Sequence, residues 1–141
     1  MSHIELQGPG EFRLLGPLEV YVGGKQVPIV SPRRRILLGV LLMSRGHAVT
    51  VDMLIDAVWD GEPPASARGQ IQICISALRR AIGAQGLIET TPDGYRIRVQ
   101  AGQLDCDVFD TTLASAREAV ARGNLPAALE HFDVALGLWR G

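Results

Sequence analysis

Residues 66–82 read SARGQIQICISALRRAI, and residues 87–99 follow as LIETTPDGYRIRV. The first stretch has the spacing of an amphipathic helix. At 100° per residue, Ile71, Ile75, Leu78 and Ile82 fall on one stripe, with Ala67 and Cys74 at its edge. The far side carries Gly69, Gln72, Ile73, Ser76, Ala77 and Arg80, flanked by Arg68, Gln70 and Arg79. The second stretch holds two strand-like runs, LIETT and YRIRV, on either side of Pro92-Asp93-Gly94, a strong turn signal. A helix with a basic outer face and a β-hairpin directly after it decide the fold.

Upstream, residues 12–30 read FRLLGPLEVYVGGKQVPIV. Short apolar runs broken by Gly16-Pro17 and Gly23-Gly24 predict a small antiparallel sheet with tight turns. Ser31 and Pro32 then fit the N-cap and first position of a helix. Its apolar positions are read as Ile36, Leu37, Val40, Leu41 and Met43, with Gly46 as its stop. Thr50 or Asp52 caps a short second helix, VDMLIDAVW, closed by Asp60-Gly61. The loop after it contains Pro63-Pro64, which cannot continue a helix.

Downstream the character changes. Residues 105–122 and 125–139 form two Ala-rich helical patterns joined by Gly123-Asn124, with Pro126 opening the second. This is an αα-hairpin of the kind that stacks in helical repeats, and such a pair rarely buries its apolar face alone. The chain is therefore expected to be part of a longer one. Three segments are expected: an N-terminal extension at 1–11, an α/β unit at 12–102, and the helical pair at 103–141.

Composition sets modest bounds. The 141 residues are 47% hydrophobic, with a formal charge of −1. That charge is unevenly spread. Residues 1–104 carry 11 Lys/Arg against 9 Asp/Glu, a balance of +2, and residues 105–141 carry 3 against 6, a balance of −3. The earlier part is the better candidate for phosphate contact. No apolar run approaches the roughly 18 residues of a membrane span, and the N-terminus lacks the layout of a signal peptide. The two cysteines, Cys74 and Cys106, have no metal-ligand spacing, so a cytoplasmic, reduced protein without metal or cofactor is expected. The histidines are scattered, and GxGxxG, P-loop and GxSxG patterns are absent, which argues against an enzyme. Asp105 and Asp107 are read as caps of the following helix.

A helix followed by a flanking hairpin is how winged helix-turn-helix proteins hold DNA, with the helix in the major groove. On the outer face, Gln70 and Gln72 offer amides to base edges, Ser76 a hydroxyl, and Ile73 an apolar surface for a thymine methyl. Arg68, Arg79 and Arg80 suit phosphates. Arg33, Arg34 and Arg35 place three cations at the positive end of a helix dipole, an arrangement eased by a nearby anion. Trp59 offers its indole N–H to a phosphate or its ring to the core. Thr91 falls at the hairpin tip, and Arg96 shares one strand face with Arg98. A different reading remains open, in which a degenerate winged helix and a repeat-type hairpin bind only protein.

The ordered series FRLLGPLEV, SPRRRILLGVLL, LIDAVWDGEPP, ISALRRAIG and TPDGYRIRV resembles a winged-helix domain of the OmpR/PhoB type. More specifically it resembles the Streptomyces antibiotic regulatory proteins, and residues 108–141 look like the first two helices of their bacterial transcriptional activator domain. The skew to Arg, 13 against Lys25 alone, fits a GC-rich source. The resemblance implies an α/β (α+β) winged helix-turn-helix with a small N-terminal antiparallel sheet and a C-terminal wing, then an all-α helical hairpin. It implies a transcriptional activator of a secondary-metabolite gene cluster. Such an activator binds double-stranded DNA at direct repeats as a dimer and recruits RNA polymerase through its sigma and alpha subunits. Gln72, Ile73 and Arg79 occupy positions that contact DNA in that family, and Thr91 the wing tip. The chain departs from the family at Cys74 and Ala77, where a basic or aromatic residue is common, and at Thr91, where Arg is frequent.

Overall fold

A computed structural model describes residues 10–83, 87–99 and 103–140. It divides into two compact units, one spanning Val20–Val99 and the other combining the described residues up to Glu19 with those from Gln103 onward. The expected extension at 1–11 lies outside the described residues except for Gly10 and Glu11, which open strand β1 (Gly10–Arg13).

The Val20–Val99 unit begins with the hairpin of β2 (Glu19–Val22) and β3 (Lys25–Val27), in which Val20 faces Val27 and Val22 faces Lys25. The loop Gly23-Gly24 has φ of 59° and 80°, the pair of left-handed residues that a two-residue turn matching strand twist requires. Helix α1 (Pro32–Met43) starts as its sequence dictates, with Ser31 accepting from the Arg34 backbone N–H and Pro32 in the first turn. Its inner face differs from the expected one. Leu37, Leu38, Leu41 and Leu42 are buried, whereas Ile36 and Met43 are 42% and 62% exposed. Apolar residues occupy almost every side of ILLGVLLM, so periodicity cannot select a face, and the packing of α1 on its neighbours does. The helix also ends before Gly46, at a Ser44 C-cap, and Arg45 adopts φ 52°.

Strand β4 (Val49–Thr50), not foreseen in the sequence, leads directly into α2 (Val51–Val58), where the Thr50 hydroxyl caps the Met53 N–H at 3.1 Å. Helix α3 (Ala67–Ile82) buries Ala67, Ile71, Ile75, Leu78 and Ile82, the stripe its spacing predicts. Strands β5 (Ile88–Thr90) and β6 (Gly94–Ile97) form the expected hairpin, and β4 pairs on the other side of β6 in the order β4-β6-β5. Gly94 is obligatory for this pairing. It faces Thr50, and a Cβ there would overlap the carbonyl oxygen of Val49. Helix α1 packs on α2, α3 and β6 around a core of Leu37, Leu38, Leu41, Leu54, Ile71 and Ile97. Burying such side chains stabilises by about 1.5–3 kcal/mol each. A helix trio followed by this hairpin is the winged helix-turn-helix arrangement.

In the other unit, α4 (Asp105–Ala121) and α5 (Leu125–Gly137) form the expected helical hairpin. The Asn124 side chain caps α5 by accepting from the Ala127 N–H. Buried Ala116, Ala119, Ala128 and Ala135 let the two helices approach closely. Asp105 does not cap its own helix. Leu104 holds the N-cap position, and the Asp105 carboxylate, 2% exposed, accepts from the backbone N–H groups of Leu14 (2.8 Å) and Leu15 (3.0 Å). Phe12 N–H donates to the Gln103 carbonyl, and Arg140 N–H to that of Leu15. The Arg140 guanidinium lies 2.9 Å from Glu19 and 3.8 Å from Asp105. Among the described residues none of its nitrogens makes an aligned hydrogen bond, so the attraction to these two acids is one of charge proximity. A buried acid with two amide donors is well satisfied, and among the described residues no cluster of acids, histidines or cysteines could hold a metal. No described helix is long and apolar enough to cross a membrane.

Candidate nucleic-acid interface

The outer surface of α3 is built by the same periodicity that buries its inner stripe. Gly69, Gln72, Ile73, Ser76 and Arg80 are all exposed, opposite Ile71, Ile75 and Leu78. Gln72, Ser76 and Arg80 stand four residues apart, so they form one row along the helix. Among the described residues these three side chains make no hydrogen bond or ion pair. Ile73 beside them is 63% exposed. Arg79 and Arg80 lie in the last turn, where cations are favoured by the helix dipole. The row therefore offers an amide, a hydroxyl, an apolar group and a cation, the donor, acceptor and methyl-contacting chemistry that base edges and phosphates accept.

Of the remaining residues singled out from the sequence, Arg33, Arg35, Arg68, Gln70, Arg79 and Arg96 already have their polar groups engaged. Arg33 donates to the Gln70 side-chain oxygen at 2.6 Å, and Gln70 donates in turn to the Ser66 hydroxyl at 2.9 Å. Both ends of the Gln70 amide are thus occupied, and the chain ties the first turn of α1 to the first turn of α3. The Arg33 guanidinium also lies 5.0 Å from the centre of the Trp59 ring, which is half-buried beneath it as a cation–π partner. Arg35 donates to the Ile29 carbonyl. Of the three cations in this turn, Arg34 alone shows no side-chain partner among the described residues. Arg68 pairs with Asp52 at 2.7 Å, joining α3 to the start of α2.

Arg79 is the brace between helix and hairpin. Two of its nitrogens donate to the Ile88 carbonyl at 3.1 and 2.9 Å, one also to the Thr90 hydroxyl, and its guanidinium lies over the Tyr95 ring. Tyr95 is buried beneath the hairpin, as expected. Thr91 sits at the hairpin turn, half-buried, with its N–H bonded to the Gly94 carbonyl. Arg96 pairs across the strands with Glu89 at 2.7 Å, and Arg98 approaches the same carboxylate at 3.7 Å. Sequence reasoning missed the partners Asp52, Glu89, Thr90 and Ser66. The signal for Glu89 was present, because a hairpin turning at 91–94 sets Glu89 opposite Arg96. The other pairings depend on how the helices cross, which no local pattern encodes.

Residues 24–97 match the family model described as "Transcriptional regulatory protein, C terminal", and the chain belongs to that OmpR/PhoB-type family. Its relatives are regulators of the kind found among the Streptomyces antibiotic regulatory proteins. It is 36% identical over 140 residues to the transcriptional regulatory protein MoaR1 of Mycobacterium tuberculosis, covering 95% of this chain and 45% of MoaR1. It is 35% identical over 130 residues to the regulatory protein AfsR of Streptomyces griseus, covering 92% of this chain and 13% of AfsR. A solved structure of Mycobacterium tuberculosis EmbR, in complex with a low-affinity phosphopeptide, superposes with a TM-score of 0.90 at 34% identity. That match covers 94% of this chain and 36% of the EmbR chain. The chain thus spans less than half the length of these three proteins.

Proposed function

We propose that this chain is the DNA-reading part of a sequence-specific transcriptional activator. In this reading α3 lies in the major groove, where Gln72 and Ser76 address base edges and Ile73 meets a thymine methyl. Arg80 and Arg34 supply phosphate contacts, and the hairpin flanks the duplex with Thr91 at its tip. The observation that carries the proposal is the unengaged row Gln72–Ser76–Arg80 with Ile73 beside it, on the helix that this architecture turns outward. Arg33, Gln70, Arg68 and Arg79 then serve to hold that helix in place, and Arg35, Trp59 and Arg96 border it.

The finer parts of the proposal go beyond the kinship with MoaR1 and AfsR, whose names mark them as regulators and support the reading to that extent. Residues 12–102 form the DNA-binding domain, and residues 103–141 open an activator domain. Two protomers occupy direct repeats upstream of a secondary-metabolite gene cluster and recruit RNA polymerase through its sigma and alpha subunits. A single small module buries limited DNA surface, which favours tandem binding.

The second reading, a module that binds only protein, is favoured by the internal pairing of so many arginines and by the net charge of −1. Titration onto duplexes from the gene's own upstream region, at several salt concentrations, separates the two. A shift that weakens steeply with salt supports DNA binding. Absence of any shift at low salt, with every upstream fragment, would leave the protein-binding reading.

A further inference from the structure

Glu89 lies in the middle of β5, directly across from Arg96 of β6. Alternation along β6 puts Arg98 on the same face as Arg96, two residues on. One carboxylate therefore receives both guanidinium groups: Arg96 Nε donates to Oε1 at 2.7 Å, and Arg98 Nε lies 3.7 Å from Oε2. The strand that carries Glu89 is itself fixed. Arg79 bonds the Ile88 carbonyl on one side of it and the Thr90 hydroxyl on the other. All three side chains face solvent, Arg96 being 49% exposed, Arg98 63% and Glu89 31%.

Ion pairs this exposed contribute little to stability, so folding alone gives no strong reason for an acid between the two hairpin cations. Its effect on a polyanion is larger. With Glu89 charged, the hairpin face presents a net charge of +1 instead of +2, and both arginines are drawn along the sheet. We propose that Glu89 is an affinity-setting residue that holds Arg96 and Arg98 back from DNA phosphates. It lowers sequence-independent attraction without touching the groups on α3 that face bases. The complex is thereby kept readily reversible. The inference rests on the DNA-binding reading above.

The test compares the unaltered chain with Glu89→Gln on two duplexes, one from the gene's upstream region and one of scrambled sequence, across a salt series. Glutamine keeps an acceptor for Arg96 and removes only the charge. Binding of Glu89→Gln to both duplexes should tighten by a similar factor, with slower dissociation. The slope of log affinity against log salt should steepen by about 1, so that raising salt from about 50 to 200 mM costs about fourfold more affinity than in the unaltered chain. Adding Arg98→Gln should return the slope toward its original value. Glu118→Gln, which breaks the Glu118–Arg122 pair on α4, should leave the slope unchanged. An unchanged slope in a Glu89→Gln protein that retains its circular dichroism spectrum would overturn the inference, and so would weaker binding. If the unaltered chain and the variant both bind no duplex at low salt, the DNA-binding reading falls, and this inference with it.

Discussion

The outer row of α3 and the outer face of the β5–β6 hairpin carry similar residues but are in opposite states. On α3, Gln72, Ser76 and Arg80 stand exposed without partners among the described residues. On the hairpin, Arg96 and Arg98 share one carboxylate. Arg79, at the seam, spends its donors on the hairpin backbone. An arginine in a sequence is therefore not yet a charge available to a ligand. On the helix, the 3.6-residue repeat separates the outward row from the core, and Arg68, one turn before Gln72, is paired with Asp52 instead. On the hairpin, cross-strand register brings opposite charges within reach by construction.

This contrast can be broken most severely at Gly94. Replacing it with Ala forces β4 and β6 apart, and denaturant unfolding should show a loss of about 3 kcal/mol, near the upper end for overpacking. The α3 row would then persist without a fixed hairpin beside it. Next comes Arg79→Ala, which removes charged hydrogen bonds worth about 1.5–3 kcal/mol. It should lower both the unfolding midpoint and DNA affinity, whereas a purely ligand-facing arginine would lower affinity alone. Gln72→Ala should cost about 1–3 kcal/mol of discrimination at one base pair, with stability and salt slope unchanged; binding to a panel of single-base operator variants checks this. The smallest effect is expected from Arg80→Ala. It should reduce the salt slope by about 0.9, uniformly across sequences, and leave thermal unfolding unmoved.

The sequence made the helical scaffold readable where one signal dominates. The α3 stripe, the Ser31 and Thr50 caps and the Pro92-Asp93-Gly94 turn each follow from local chemistry, and each is seen in the structure. The inner face of α1 was not readable, because Leu38 and Leu42 compete with Ile36 and Met43 on a helix that is apolar nearly all round. Strand β4 is only two residues long and exists through its pairing with β6, so no run of residues announces it. For the candidate site, the sequence suggested which side chains bear the right chemistry. It did not reveal which of them are already occupied. The Arg33–Gln70–Ser66 chain and the Arg68–Asp52 pair join residues 37 and 16 positions apart, and only the crossing of helices brings them together.

The Asp105 carboxylate grips two amides that lie about ninety positions earlier in the chain. The Val20–Val99 unit is drawn from one uninterrupted stretch, while its companion is assembled from two stretches that flank it. On a ribosome delivering the chain from its N-terminus, Phe12, Leu14 and Leu15 emerge before their partners Gln103, Asp105 and Arg140, which arrive only after the whole Val20–Val99 unit has been made. The order of synthesis thus favours a winged helix that folds while still tethered, with its leading strand waiting for the segment that completes it. Closing so long a loop has an entropic cost, which makes this clasp a late event in folding.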